Sequence, residues 1–137
     1  MVILITGASR GIGTALARKM AAEGATLFLL SRNADRLEKL AEECRAAHLG
    51  TRAIPLVFDL TQVKALDDGS LTAQVKQYTS HVDVLVNNAG YLVHQSFGEM
   101  DSTTMEETMA VNFWGPVYLI RALLPMLKAS KTPRIIN

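Results

Sequence analysis

Thr6-Gly7-Ala8-Ser9-Arg10-Gly11-Ile12-Gly13 is the stretch that decides the fold class of this chain. The apolar run Val2-Ile3-Leu4-Ile5 precedes it, and apolar residues at helical spacing follow it, at Ile12, Leu16 and Met20. These patterns predict a strand, a glycine-bearing turn and a helix. Glycine lets the backbone approach a ligand closely, and the free N–H groups at a helix start favour an anion. The stretch therefore predicts a pyrophosphate-binding turn; the alternative is a tight turn without a ligand.

Apolar runs alternate with helical patterns along the rest of the chain. Strands are predicted over residues 2–6, 26–31, 52–58 and 82–86, and residues 134–137 are predicted to open a fifth. Helices are predicted over residues 12–23, from residue 34, in two pieces around the turn Asp67-Asp68-Gly69, and over residues 105–130. This alternation predicts an α/β fold, a Rossmann-type doubly wound parallel sheet that is incomplete. Pro55 cannot donate to a strand ladder, so the third strand is expected at the sheet edge.

Length and composition limit the possible classes of protein. The chain has 137 residues, is 49% hydrophobic and has a net charge of +1. One domain over residues 1–137 is expected, with no broad attraction to nucleic acid or to an anionic membrane. No apolar run approaches the roughly 20 residues of a membrane-spanning helix. The single cysteine, Cys44, fits a reducing compartment, so a cytoplasmic protein is expected, and no Cys/His spacing suggests a metal site.

The end of the second predicted strand indicates which dinucleotide the glycine turn would bind. NAD sites usually place an Asp or Glu there, about 20 residues beyond the glycines. This chain has Leu30-Ser31-Arg32 instead. Arg32, flanked by Arg10, suits a 2′-phosphate because guanidinium groups match phosphate geometry. This favours NADP over NAD; the alternative is that Arg32 is a solvated arginine ahead of a helix.

Four motifs in order resemble those of the classical short-chain dehydrogenase/reductase family. They are the glycine turn, Asp59-Leu60, Asn87-Asn88-Ala89-Gly90, and Val111-Asn112 with Gly115. The resemblance implies an oxidoreductase that transfers hydride between NADP and a small-molecule carbonyl or alcohol. It also implies a set of cofactor-binding residues: Gly7, Ser9, Arg10, Gly11, Ile12, Gly13, Arg32, Asp59, Leu60, Asn88, Ala89 and Gly90.

Within that set, the resemblance implies a position for each segment. Asp59 and Leu60 would contact the adenine, residues 88–90 would pass beside the adenosine ribose, and Asn87 would tie the central strands together. Because Gly13 belongs to the turn, Gly13→Val is expected to abolish nucleotide binding without unfolding the protein.

Asn112 is the candidate catalytic residue. In the family that the chain resembles, the main-chain carbonyl of the matching asparagine holds a water in a proton relay. Residue 116 is Pro116, which has no N–H to donate to the Asn112 carbonyl. We therefore expect this carbonyl to be free for water; the alternative is a simple proline kink in a packed helix.

The serine, tyrosine and lysine that the family uses for catalysis are not found in this chain. Lysine does not follow Tyr78, Tyr91 or Tyr118 by four residues. In the family these groups lie beyond the fifth strand, so domain 1–137 is expected to be truncated before the catalytic Ser and Tyr-x3-Lys. It would bind dinucleotide without turnover; the alternative is a non-catalytic interaction module that pairs with a full-length relative. Self-association is expected through helix 105–130 or an exposed sheet edge.

Overall fold

A computed structural model describes all residues from 1 to 137. Five parallel strands form one sheet in the order β3-β2-β1-β4-β5. The strands are β1 Val2–Thr6, β2 Thr26–Ser31, β3 Arg52–Val57, β4 Val84–Val86 and β5 Arg134–Ile136. The strand order reverses at β1, as it does in doubly wound nucleotide-binding folds. The predicted Rossmann-type fold class, with a fifth strand at residue 134, is confirmed.

The helices lie close to their predicted positions. They are α1 Gly11–Ala22, α2 Ala34–Ala47, α3 Ser70–Lys76, α4 Ser102–Met109 and α5 Gly115–Lys128. A 3₁₀ turn at Val63–Asp68 precedes α3, which confirms the two-piece prediction, and a π-helical turn at Ala110–Trp114 joins α4 to α5. We call the continuous segment Ser102–Lys128 the long helix.

Two elements begin two or more residues away from their predicted starts, and each has a local reason. The long helix begins at Ser102 rather than at residue 105, because the Asp101 Oδ1 atom accepts a hydrogen bond of 2.8 Å from the Thr104 N–H. Strand β4 begins at Val84 rather than at residue 82, and Val82 instead donates its N–H to the Met126 carbonyl of the long helix. In both cases hydrogen bonding accompanies the changed boundary.

The strands β1 and β2 are buried on both faces. Leu4, Phe28 and Leu30 belong to a core on one side of the sheet, together with Leu119 and Leu123 of the long helix. The alternate strand residues belong to a second core on the other side, which includes the buried faces of α1 and α2: Ile3, Ile5, Leu27, Leu29, Ala17, Ala21, Leu37 and Leu40. Alternate side chains point to opposite faces, so continuous apolar runs are required in these two strands.

The two edges of the sheet are β3 and β5. Pro55 lies in β3 opposite Leu29 of β2, so its missing N–H falls on the outer side of the sheet, and the edge prediction is confirmed. At the other edge β5 pairs with β4, but all three β5 residues are exposed.

The long helix is long and apolar enough to cross a membrane, judged by length and composition alone. This differs from the sequence expectation that no apolar run approaches the roughly 20 residues of a membrane-spanning helix. A core helix that packs on a sheet passes the same test. Leu119, Leu123 and Leu127 of this helix lie in the core against the sheet, and this packing explains their apolar character.

Candidate functional site

A cleft of about 760 Å³ lies at the carboxyl ends of β1, β2, β3 and β4. This is the edge where open parallel sheets bind their ligands, beside the position at which the strand order reverses. All the predicted cofactor-binding residues except Gly13 line the cleft: Gly7, Ser9, Arg10, Gly11, Ile12, Arg32, Asp59, Leu60, Asn88, Ala89 and Gly90. The topology thus brings together four segments that are far apart in the sequence.

The glycine turn forms one wall of the cleft, and two of its glycines have conformations that favour glycine. Gly7 has a φ of 64° and Gly11 a φ of 57°, in the left-handed region. A Cβ atom on Gly7 would lie 2.8 Å from the Cα of Ala89, whereas one on Gly11 would meet nothing within 4 Å. Gly7 is therefore required for the contact between β1 and the segment after β4, and Gly11 for the shape of the turn.

Gly13 lies in α1 beside the turn, and its role in nucleotide binding stays a prediction. It does not line the cleft, and a Cβ atom there would lie 2.5 Å from the Gly7 carbonyl oxygen and 2.7 Å from Nδ2 of Asn88. Its lack of a side chain lets α1 pack directly on the turn. Gly13→Val would displace the backbone of the turn, so the expectation of lost binding without unfolding does not fit this geometry.

Asn88 and its neighbours fix the opposite wall to the end of β1. The Asn88 Nδ2 group donates to the Thr6 carbonyl at 2.9 Å, and the Ala89 N–H donates to the Thr6 Oγ1 atom at 2.9 Å. Asn87 acts on the other side of β4. Its N–H donates to the Ile136 carbonyl at 2.8 Å, and its Nδ2 group donates to Oδ1 of Asn137 at 2.7 Å. Asn88 therefore ties β4 to β1, and Asn87 ties β4 to β5.

The end of β2 brings basic and amide groups into the cleft. Arg32 lies here as predicted, and Ser31, Asn33 and Arg36 line the cleft beside it without having been predicted. Asp35 does not line the cleft; it is the acidic residue in the first turn of α2, as the sequence suggested. The spacing of Arg32 and Arg36, four residues apart, was the signal that could have identified Arg36.

Asp59 and Leu60 line the cleft at the end of β3. The Asp59 Oδ1 atom accepts hydrogen bonds of 2.9 Å from the N–H and from the hydroxyl of Thr61. Its Oδ2 atom lies 3.9 Å from the Arg32 guanidinium. Val111 and Glu107 of the long helix complete this part of the wall. Nothing in the sequence marks Glu107 as a lining residue, because only the packing of the helix brings it there.

Asn112 lies in the π-helical turn and does not line the cleft. The Gly115 N–H donates to the Ala110 carbonyl, five residues earlier, so the helix is widened here instead of simply kinked at Pro116. The Asn112 side chain forms two hydrogen bonds of 2.8 Å with the main chain of Tyr91, one to its N–H and one to its carbonyl. Asn112 therefore holds Tyr91, which does line the cleft. The role of the Asn112 carbonyl stays a prediction.

Other titratable groups do not form a second site. No group of three or more His, Cys, Asp or Glu side chains is placed to hold a metal ion. Cys44 lies in the core on the buried face of α2, where burial raises the pKa of its thiol and keeps it protonated.

Comparisons with known proteins agree with this geometry. The family model for short chain dehydrogenase matches residues 1–137. A fatty acyl-CoA reductase from Acinetobacter baylyi is 39% identical over 99% of this chain. Among solved structures, a metagenomic short-chain oxidoreductase in complex with NADP has a TM-score of 0.89 and 36% identity over 100% of this chain. An alcohol dehydrogenase from Thermococcus sibiricus, complexed with 5-hydroxy-NADP, has a TM-score of 0.88 and 32% identity over 98% of this chain.

The matches cover only part of these proteins. The chain spans 45% of the length of the Acinetobacter reductase. It spans 60% of the metagenomic oxidoreductase and 56% of the archaeal alcohol dehydrogenase. In each case the match takes in nearly all of the present chain. On these grounds the chain belongs to the short-chain dehydrogenase/reductase family of oxidoreductases.

Proposed function

We propose that this chain is the cofactor-binding part of an NADP-dependent oxidoreductase and that by itself it binds the dinucleotide without turnover. The observation that supports this best is the composition of the cleft. A left-handed glycine turn forms one wall, and arginines at the end of β2 stand where an NAD site has a carboxylate. The NADP and 5-hydroxy-NADP in the two similar structures support the same choice.

Different segments of the cleft bind different parts of the cofactor. The backbone of residues 7–12, with Ser9 and Ile12 on the rim, binds the pyrophosphate at the start of α1, and Arg10 flanks Arg32. Asp59 and Leu60 contact the adenine, and residues 88–90 pass beside the adenosine ribose. Arg32 binds the 2′-phosphate. When bound, the cofactor supplies hydride for reduction of a carbonyl, or accepts it from an alcohol.

Catalysis by the complete protein requires groups that these residues do not include. A phenol has a pKa of about 10 and acts as an acid or base near neutral pH only beside a cation. None of Tyr78, Tyr91 and Tyr118 is followed by lysine at a spacing of four. In the complete form the contribution of the present residues is to bind the cofactor, to fix Tyr91 through Asn112, and to offer the Asn112 carbonyl to a water.

A second candidate function is an interaction module that pairs with a full-length relative or with another copy. The observation that favours it is the outer face of the long helix, where several large apolar side chains are exposed: Met109, Phe113, Trp114, Val117 and Leu124. The open β5 edge is a further candidate for pairing.

We also propose a cytoplasmic location without nucleic-acid or membrane partners, which the buried free thiol and the net charge of +1 support.

Titration of NADPH fluorescence against the purified chain tests the proposed function. We expect an enhanced and blue-shifted emission that saturates, with NADPH bound about tenfold or more tightly than NADH because a 2′-phosphate bound by arginine gains charge-assisted hydrogen bonds. Arg32→Ala is expected to reduce this preference. Arg52→Ala serves as the control, because Arg52 is exposed on β3 and outside the cleft. No spectral change at millimolar NADPH would contradict dinucleotide binding.

A further inference from the structure

The first turn of α2 holds a third arginine at the cleft. The Asn33 N–H donates to Oγ of Ser31 at 3.3 Å, and Oδ1 of Asn33 accepts a hydrogen bond of 2.8 Å from the Arg36 N–H. This capping contact fixes the backbone of Arg36 in the first turn of the helix. Arg36 and Arg32 are thereby placed on the same wall of the cleft, and both line it.

The ion pairs of the protein leave two of the three cleft arginines, Arg10 and Arg36, without a carboxylate partner. Arg18, Arg45 and Arg121 lie outside the cleft, and each pairs with a carboxylate at 2.7 Å. Arg36 and Arg10 have no carboxylate within 4.0 Å. Arg52 and Arg134 are likewise unpaired, but they lie on edge strands and not at the cleft. Two guanidinium groups with free donors thus face the same cavity.

Arg32 is less free than Arg36. Its Nη1 atom lies 3.9 Å from Oδ2 of Asp59, across the end of the sheet. A carboxylate at this distance attracts the guanidinium towards the end of β3, even though the pair is exposed and weak. The Arg36 guanidinium has no such competitor, so its donors are available to an anion beside Ser31 and Asn33.

We infer that Arg36 is a specificity-determining residue that binds the 2′-phosphate of the dinucleotide together with Arg32. This inference rests on the proposed function and adds to it a residue that the sequence motifs did not identify. Ser31 and Asn33 line the cleft together with the two arginines and add a hydroxyl and an amide to the phosphate site. A site with two guanidinium groups can bind the phosphate oxygens from two sides, whereas a site with Arg32 alone would share that arginine with Asp59.

The test compares NADPH and NADH binding by the full 137-residue chain and by three variants. Arg36→Met removes the guanidinium and keeps an apolar stem, Arg36→Lys keeps the charge, and Arg52→Met is the control outside the cleft. Urea unfolding of each variant establishes that it is folded. We expect Arg36→Met to weaken NADPH binding about tenfold and leave NADH binding unchanged, with Arg36→Lys intermediate and Arg52→Met unchanged.

The outcomes separate this inference from the proposed function. If the unsubstituted chain prefers NADPH and Arg36→Met keeps that preference, the role of Arg36 is wrong and the proposed function stands. An equal loss of NADPH and NADH affinity in Arg36→Met also contradicts the inference, because a 2′-phosphate ligand would affect NADPH alone. If the unsubstituted chain binds neither dinucleotide, both the function and the inference are wrong.

Discussion

The two halves of the sheet differ in how completely their apolar residues are covered. On one side, β1 and β2 are buried between two cores, and Phe28 is 0% exposed. On the other side, β5 is exposed throughout, and the long helix presents aromatic side chains to solvent. The side that forms the glycine turn is thus a packed unit, whereas the β5 side retains apolar surface available to another chain. Binding of the cofactor and association with a partner are therefore expected to depend on different residues.

The largest effect is expected in the packed half. Phe28 has a fully buried ring that packs edge to face on Tyr78, with the ring centroids 6.1 Å apart. Phe28→Ala removes this ring and should lower the free energy of unfolding by about 4 kcal/mol. Ile135→Ala in β5, where the side chain is 42% exposed, should lower it by less than about 1 kcal/mol. Urea denaturation measures both. Similar losses from the two substitutions would remove the distinction between the halves.

Gly13→Ala tests the packing of α1 on the glycine turn, which belongs to the packed half of the sheet. The added Cβ would lie 2.5 Å from the Gly7 carbonyl oxygen, so we expect a loss of about 2–3 kcal/mol in unfolding free energy together with weaker NADPH binding. Gly98→Ala is the matched control, because a Cβ there meets nothing within 4 Å. A stable Gly13→Ala protein with unchanged NADPH affinity would show that the close packing of α1 on the turn is not required.

Asp83 forms hydrogen bonds with residues of both halves of the molecule, and we expect these bonds to be lost in acid. Its Oδ2 atom accepts a hydrogen bond of 2.8 Å from the Val2 N–H of β1, and its Oδ1 atom accepts one of 2.6 Å from the Ser130 hydroxyl after the long helix. Burial by itself raises the pKa of the Asp83 carboxyl, but these hydrogen bonds and the nearby His81 outweigh it and hold the pKa below its usual value.

Because the pKa of Asp83 is lowered in the folded state, the ionised carboxylate stabilises the folded protein. The contribution of Asp83 is fully present above the unfolded pKa of about 3.9 and is lost as the pH falls through the lower folded pKa. Asp83→Asn should lower the free energy of unfolding by about 2 kcal/mol at pH 7 and reduce its dependence on pH below about 4. The exposed Glu42→Gln is the control. An unchanged pH profile for Asp83→Asn would show that this carboxylate does not link the halves.

The smallest effect is expected on the exposed face of the long helix. Phe113 is 49% exposed and packs on Trp114, so Phe113→Glu should weaken self-association by about tenfold with little change in stability. Leu49→Glu provides the comparison, because Leu49 is fully exposed after α2 and away from this face. Sedimentation velocity across a concentration series measures both. A monomer at every concentration, with or without the substitution, would contradict the proposed use of this face.

Much of the fold was predictable because its signals are local. The runs in β1 and β2 mark strands that are buried on both faces, and Pro55 correctly placed β3 at an edge. The π-helical turn was not predictable in the same way. Pro116 indicates only that an intrahelical hydrogen bond is missing, and the widened turn involves the Ala110 carbonyl and Gly115 as well.

The cleft shows the same division between local and tertiary information. The glycine turn and Arg32 were predicted from strand ends and spacing, since parallel strands deliver their carboxyl ends to one edge. Glu107 and Tyr91 were missed because tertiary contacts bring them to the cleft. Glu107 is brought there by the packing of the long helix, and Tyr91 is held by its hydrogen bonds with Asn112. The close approach of Gly13 to the Gly7 carbonyl was not predicted, because this contact is visible only in three dimensions.

The central claim is that the packed half binds the dinucleotide in the cleft formed by the glycine turn and the end of β2. Amide hydrogen exchange of the chain with and without saturating NADPH tests it most directly. We predict slower exchange in residues 7–13, 30–36 and 88–91, and no change in β5 Arg134–Ile136, which lies outside the cleft. Unchanged exchange in the glycine turn, or protection confined to the long helix and β5, would contradict the claim.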